Sequence, residues 1–234
     1  MSRPAPEKRP ASRPTPSLAL LLIITSVACA RTDDEWREDL DSSDPFVRGM
    51  AALGLGIQSP REAGAAVPEL LQTIDGVDVG LEHEAAEVLV HVAPFHTQLL
   101  LDHLVDEDLM SVEKRRAILR ALVAAGPTAT GPIVMTLRGR GSRLVGDLGE
   151  VLLAIGEPAV PDIVALLEEA EDVRLRNFAA FLLAKMGPRA KSAVPALRAA
   201  TSSADPDLRR MAGEALALIE GRPPQVPVPE ESKR

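Results

Sequence analysis

Apolar residues recur at helical spacing in residues 171–197, and this stretch sets the pattern for the rest of the chain. The spacing predicts one helix over Val173–Met186, with a single apolar face formed by Leu175, Phe178, Ala179, Leu182 and Leu183. Gly187 supplies a left-handed stop after this helix, and Pro188 prevents the helix from continuing. A second helix is predicted to start at Ala193-Val194-Pro195, which places Pro195 in the first turn, where the missing N–H of proline costs nothing.

The same helix–turn–helix pattern recurs with a period of roughly 30 residues, which marks a helical repeat protein. Three helix starts share an acidic residue, an arginine and an alanine at fixed spacing, at Asp44-Arg48-Ala51, Asp172-Arg176-Ala179 and Asp205-Arg209-Ala212. The break between the two helices of a unit recurs at Ala93-Pro94, Gly126-Pro127, Gly156-Glu157-Pro158 and Gly187-Pro188. The second helix is predicted to begin at Val67-Pro68, Gly131-Pro132, Val160-Pro161 and Val194-Pro195.

These marks predict an all-α fold, a right-handed α-α superhelix (solenoid) of about six helical hairpins. The units fall roughly at 40–74, 75–104, 105–137, 138–167, 168–200 and 201–221, the last with its first helix alone. The second and fourth units are diverged, since Glu82 and Val145 stand where other units carry arginine.

Period, proline positions and arginine–alanine spacing together resemble HEAT repeats, in particular the short bacterial kind called PBS-lyase-like HEAT repeats. The resemblance extends from Leu40 to Gly221. It implies HEAT-like hairpins that stack into one elongated core, and a family that mostly binds other proteins along a helical face. A few proteins of this kind are enzymes, so an enzymatic or lyase-like activity is the alternative that the resemblance leaves open. A structural spacer without a specific ligand is a third interpretation.

Composition narrows the classes of partner. Hydrophobic residues make up 46% of the chain, but aromatic residues only 2%, with one Trp, four Phe and no Tyr. Surfaces that stack bases or sugars need aromatic faces, and a net charge of −8 opposes phosphate backbones. We therefore expect a protein partner and no nucleic acid.

Residues 1–28 read as a targeting segment, with a basic start and an apolar run from Leu18 to Ile24. The stretch Ser26-Val27-Ala28-Cys29 resembles the lipobox of a bacterial lipoprotein signal, which implies a lipid on Cys29 and loss of everything before it. Plain secretion, with cleavage after Ala28 or Ala30, is the alternative. We accordingly expect an extracytoplasmic protein of a bacterial cell envelope, anchored to a membrane through Cys29 or else secreted or periplasmic.

The remaining segments follow from these boundaries. Residues 29–39 are predicted to be a tether and N-terminal cap, in which Trp36 covers the exposed end of the repeat core. The repeat domain is assigned to 40–221. Residues 222–234 lack a helical period and are rich in proline, which predicts an extended or disordered tail.

The sequence offers no catalytic, cofactor or metal site that we can name. All four histidines lie in the second unit, at His83, His91, His96 and His103. His83-Glu84 resembles one His-Glu pair of deoxyhypusine hydroxylase, a HEAT-repeat enzyme with a di-iron site. That family needs several such pairs and this chain has one, so we carry over no iron ligands. Solvated or packing histidines are the interpretation that we adopt.

Charge is divided into two blocks. Residues 62–113 contain twelve acidic residues and no Lys or Arg, whereas residues 114–146 contain seven basic residues and no acid. Either these charges are solvated and partly neutralise one another between repeats, or they steer a bipolar protein partner. In the second case the contact predicted from sequence is Arg138, Arg140 and Arg143, which are expected to lie in one connection between the third and fourth units.

The sequence therefore predicts a non-catalytic protein–protein interaction scaffold of the bacterial cell envelope, built on HEAT-like repeats and needing no cofactor.

Overall fold

A computed structural model describes residues 31–76, 80–106, 110–140 and 143–221. Within these ranges the chain is helical and contains no strand. The α-helices are α1 Asp33–Asp39, α2 Pro45–Gln58, α3 Val67–Asp75, α4 Glu82–Asp106, α5 Val112–Ala125, α6 Pro127–Arg140, α7 Val145–Ile155, α8 Val160–Glu169, α9 Val173–Met186, α10 Val194–Ala200 and α11 Pro206–Ile219. Short 3-10 turns occur at Ala63–Ala66, Glu157–Ala159 and Gly187–Ala193.

The helices form the predicted all-α repeat solenoid. Four repeats are helical hairpins: α2–α3, α5–α6, α7–α8 and α9–α10. The second repeat is the single kinked helix α4, which supplies both of its limbs, and the sixth repeat is represented by its first helix, α11. First helices pack against first helices, and second helices against second helices, in chain order. Buried Ala, Leu, Val and Ile side chains form one continuous core between the two layers. This arrangement follows because no hairpin can bury its apolar face alone.

Aspartate side chains begin the first helices of three repeats, as the pattern predicts. Asp44, Asp172 and Asp205 each accept a hydrogen bond from a backbone N–H in the first turn of the helix that follows. Such a cap satisfies a donor that the helix itself leaves unpaired.

Two of these starts share a further arginine clamp. Ser42 and Ser203 accept a hydrogen bond from the N–H of the capping aspartate, each at 3.2 Å. The guanidinium groups of Arg48 and Arg209 then donate to the carbonyl oxygens of those same serines, each at 2.8 Å. The recurring arginine therefore fastens the connection that precedes its own helix.

Glycine makes the break between the two helices of a repeat. Gly126, Gly156 and Gly187 have φ of 61°, 79° and 54°, a backbone region that side chains strongly disfavour. The second repeat has Ala93 at this place, and its two limbs remain one helix with a kink at His96. A clean turn does not form there because alanine cannot adopt the glycine conformation without strain.

One predicted helix start is wrong. The second helix of the third repeat does not begin at Gly131-Pro132, because α6 begins at Pro127 and contains Pro132. The hydroxyl group of Thr128 donates to the carbonyl oxygen of Ala125 at 2.9 Å, and the hydroxyl oxygen of Thr130 lies 3.0 Å from the carbonyl oxygen of Pro127 and also contacts the Asp162 carboxylate. These bonds support the turn before Pro132, so that the segment is already helical where the other repeats have a separate 3-10 turn.

Trp36 closes the N-terminal end of the core, as predicted. The side chain is 2% exposed and lies against Gly54 of α2. Its indole N–H donates to Gln58 at 3.1 Å, and Gln58 donates in turn to the Arg31 carbonyl at 3.0 Å. The segment that was predicted to be a tether is thus helical from Asp33 onwards and is fastened to the first repeat.

Candidate functional site

The three arginines that were predicted to share one connection lie in two kinds of segment, a helix and the turn before the next one. Arg138 and Arg140 belong to α6, which runs to Arg140, so the expectation of a loop is wrong for both. Gly141 and Ser142 lie outside the described residues, as does the side chain of Arg140. Arg143 is exposed in the turn before α7. The partner contact predicted at these arginines remains a prediction, and two of the three residues lie on a helix where a loop was expected.

Arg138 fastens α6 to α8 in the next repeat. Its guanidinium donates to the carbonyl oxygen of Ala165 at 2.7 Å and to the carboxylate of Glu169 at 3.0 Å. Both acceptors lie near the C-terminal end of α8, where a positive charge also meets the favourable end of the helix dipole. Two of the guanidinium N–H groups of Arg138 are thus bonded within the molecule, and its Nε is buried without a partner among the described residues.

The basic block of the sequence is largely neutralised by neighbouring repeats. Carboxylates of the acidic block contribute two ion pairs, Lys114–Asp75 at 3.0 Å and Arg120–Glu87 at 2.5 Å. The following repeat contributes Asp147 to Arg115 and Glu169 to Arg138. Sequence blocks of opposite sign thus meet because helices about one repeat apart lie side by side. This geometry supports the interpretation in which the charges neutralise between repeats.

The four histidines are distributed along α4. His83 and Glu87 lie one turn apart, with His83 Nε2 and Glu87 Oε1 at 4.0 Å, whereas His91 is exposed. His96 donates through Nε2 to the carbonyl oxygen of Pro60 at 2.9 Å, which secures the kink against the first repeat. Throughout the described ranges, no group of three or more His, Cys, Asp and Glu side chains is placed to hold a metal ion.

A groove between α5 and α7 is the feature that the sequence did not indicate. It is an open groove of about 470 Å³ between the first helices of the third and fourth repeats. Apolar side chains of both helices line it, and charged groups stand on its walls: Val112, Leu119, Val123 and Val151, with Arg115, Arg116, Asp147 and Glu150. Neither Arg116 nor Glu150 makes an ion pair or side-chain hydrogen bond with any residue that the structure describes.

Charged hydrogen bonds hold the N-terminal helix α1 in place. Glu35 accepts hydrogen bonds from the backbone N–H of Thr32 at 2.7 Å and from the Thr32 hydroxyl at 3.0 Å. These bonds, the backbone one first, hold the pKa of the Glu35 carboxyl below its ordinary value. Arg37 pairs with Glu62 at 2.8 Å, which raises the pKa of the Arg37 guanidinium. Helix α1 is therefore held by charged hydrogen bonds as well as by the burial of Trp36.

Several predicted features fall outside the described residues. Cys29, the whole of residues 1–30 and residues 222–234 belong to this group. Among the helices that the structure does describe, none combines the length and the apolar character needed to cross a membrane.

Comparison with known proteins agrees with the helical-repeat geometry. Residues 160–228 match the family model described as HEAT repeats. No curated protein matches the sequence significantly. The chain is similar to a crystal structure of an engineered protein from the Northeast Structural Genomics Consortium, at 19% identity over 81% of this chain and 96% of that one, with a TM-score of 0.33. That likeness carries no argument about this chain.

The match begins at the first residue of α8 and includes α9, α10 and α11, the part of the chain whose sequence marks are clearest. Paired helices continue through the earlier repeats, with a capping aspartate at Asp44 and positive-φ glycine breaks at Gly126 and Gly156. The chain is an all-α helical-repeat solenoid, and its C-terminal repeats are similar to HEAT repeats.

Proposed function

We propose that this chain is a non-catalytic protein-interaction scaffold of the bacterial cell envelope, held at a membrane by a lipid on Cys29. The observation that carries the proposal is the repeat solenoid itself, with its HEAT-repeat match over 160–228. Stacked hairpins present successive helices side by side, and such extended surfaces commonly bind other proteins. The groove between α5 and α7 adds an apolar surface flanked by charges that the described residues leave unpaired.

The envelope part of the proposal is supported by sequence alone. Ser26-Val27-Ala28-Cys29 follows a basic start and a short apolar run, in the order of a lipoprotein signal. Two membrane signals are usually needed for stable anchoring, and a diacylated cysteine supplies more than one acyl chain.

The anchor is tested by fractionating cells that express the full chain or its Cys29→Ser variant. We expect the unchanged chain in the membrane fraction, with an acylated Cys29 in the intact mass, because the acyl chains supply the membrane affinity. The variant should move to the soluble fraction. A mature N-terminus at Arg31 without lipid would contradict the anchor and leave plain secretion.

Partner binding is tested separately, by crosslinking in living cells followed by purification of the full chain and mass spectrometry. The matched control is the Cys29→Ser variant, which keeps the repeats. We expect at least one protein to be crosslinked to lysines or carboxylates of the repeat domain in both forms. Crosslinks confined to other copies of the same chain, or to none, would favour the spacer interpretation over the scaffold.

A further inference from the structure

The groove between α5 and α7 lies beside a first helix, α7, that is shorter than its counterparts. The three helices α5, α7 and α9 end at equivalent glycines, Gly126, Gly156 and Gly187. Yet α5 and α9 have 14 residues each, whereas α7 has 11 and begins later. Counted back from the glycines, Val112 lies three residues before the level at which α7 begins, and its side chain is 73% exposed.

The next junction along the rod shows how such a space is normally filled. Between α7 and α9, the ring of Phe178 lies against Gly149, where an added Cβ would stand 2.5 Å from the ring. Counting from the equivalent glycines, the matching positions at the α5–α7 junction are Leu119 and Asp147. Asp147 bonds to Arg115 instead of supplying an apolar ring, so the space beside Leu119 stays open.

Some charged side chains along this groove are paired within the molecule and two are not. Arg115 is already paired with Asp147, and Arg120 with Glu87. Arg116 on the α5 wall and Glu150 on the α7 wall keep no partner among the described residues. Because Glu150 matches the level of Arg120 when the glycines are aligned, the two free charges differ by about one helical turn along the groove.

The secondary structure of the groove walls indicates which secondary structure a bound segment would have. Both walls are helices, whose internal backbone groups are already bonded, so an extended strand would find no sheet edge to extend. Side chains must provide the contacts, as when an amphipathic helix lies in a groove. The walls offer three to four turns, roughly 16–21 Å, which suits a helix of similar length.

We propose that the α5–α7 groove binds one amphipathic helix of a partner protein, with apolar side chains inward, a carboxylate facing Arg116 and a basic group facing Glu150. This inference rests on the scaffold function proposed above and names its surface and the chemistry of its partner. The charge pair fixes the direction of the helix, because reversing the helix exchanges its two flanks.

The proposal is tested with hydrocarbon-stapled peptides of about 16 residues, long enough to hold several turns. One peptide carries leucines at i, i+4 and i+7 with glutamates on one flank and lysines on the other. A second peptide carries glutamates on both flanks, so that one glutamate flank faces Glu150 in either direction, and a third peptide replaces the leucines of the first by serines. Binding to the full chain in detergent is measured by fluorescence anisotropy at low and high salt.

We expect the chain to bind the peptide with unlike flanks roughly tenfold more tightly than the peptide with glutamates on both flanks, because only the first can pair with Arg116 and Glu150 together. The serine peptide should not bind. The variant Glu150→Lys, which makes both walls basic, should reverse this preference, and Val112→Asp should weaken both leucine peptides. The matched control, Glu214→Lys on α11, makes the same charge change away from the groove and should change nothing.

Equal binding of the two leucine peptides, a preference that survives Glu150→Lys, or no binding of either leucine peptide would overturn the inference. A melting curve of each variant separates these results from unfolding. If crosslinking in cells identifies a partner elsewhere on the rod while the groove variants bind the peptides no differently, the scaffold function stands and the groove inference fails. If crosslinking identifies no partner, the scaffold function itself fails.

Discussion

Glycine at Gly54 allows the only tryptophan of the chain to lie against a helix backbone. A Cβ added at Gly54 would stand 2.5 Å from Trp36 Cε2 and 2.6 Å from Cζ2, both closer than real Cβ contacts allow. The contact is made with the interior of a rigid bicyclic ring, so the ring must move as a whole. The seal at the N-terminal end of the core therefore depends on the absence of a single methyl group.

We expect Gly54→Ala to lower the free energy of unfolding by about 1–3 kcal/mol, because overpacking displaces Trp36. The matched control is Gly213→Ala on α11, where an added Cβ meets no atom within 4 Å. That change should raise the free energy of unfolding by about 0.5–1 kcal/mol through helix propensity. Urea unfolding measures both, and Trp36 fluorescence should shift to the red only in Gly54→Ala. A stabilised Gly54→Ala would show that α1 is not packed as described.

Acid should loosen α1 through Glu35. The pKa of Glu35 is lowered in the folded protein, so the capping bonds contribute stability above the unfolded pKa of about 4.3 and lose it as the pH falls through the lower folded value. We expect the Trp36 emission to shift to the red over this acidic range. In Glu35→Gln the amide still accepts from Thr32 but does not titrate, so the shift should be smaller. Identical titrations of the two proteins would mean that other carboxylates control the cap.

At the scale of elements, helix α9 shows how far a local pattern can be trusted. Its predicted bounds, Val173–Met186, agree with the structure, and Asp172 caps it while Gly187 ends it. Of the five residues predicted to face inward, four are buried. The fifth, Phe178, is half-buried, with its ring against Gly149 of the preceding first helix. The period of the sequence fixes the face, and the neighbouring helix decides how deeply each side chain enters.

Leu182→Ala should lower the free energy of unfolding by about 2–5 kcal/mol, since Leu182 is 1% exposed and its loss leaves a cavity. Leu218→Ala on α11 is the matched control, with the same chemical change at a side chain that is 47% exposed. We expect the control to cost less than about 1 kcal/mol. Thermal unfolding followed by far-UV circular dichroism compares the two, and similar costs would show that the assigned core face is wrong.

At the scale of the whole molecule, ion pairs and hydrogen bonds join repeats that are distant in sequence. Arg115–Asp147, Thr130–Asp162 and Arg138–Glu169 bridge residues 32, 32 and 31 apart, close to one repeat. Polar contacts therefore stabilise the stacking of adjacent repeats at three places, in addition to the apolar core. Charges that look like one basic surface in the sequence are shared among three repeats in the structure.

Arg138→Met should lower the free energy of unfolding by about 1–3 kcal/mol, because it removes charged hydrogen bonds to Ala165 and Glu169 while keeping the aliphatic stem. Arg120→Met is the matched control, since Arg120 and Glu87 form an exposed pair worth about 0–1 kcal/mol. Urea unfolding in low and high salt distinguishes them, because salt screens the exposed pair. Equal, small effects would show that the contacts of Arg138 contribute no more stability than an exposed ion pair.

The sequence by itself determined the helices, their caps and their breaks. Aspartate caps, positive-φ glycines and the apolar period act within one or two turns, so they can be recognised without a partner helix. The same local rule failed at Pro132, where threonine hydroxyls support a turn that proline was expected to begin.

Only the tertiary structure decided which side chains remain available to a partner. Arg138 meets the end of α8, and Arg115 meets Asp147, because helices about one repeat apart lie side by side. Val112 stays 73% exposed at the start of α5, and Arg116 one turn further on is exposed as well. These outcomes depend on the register between stacked repeats, and that register is a property of packing over roughly 30 residues rather than of any local pattern.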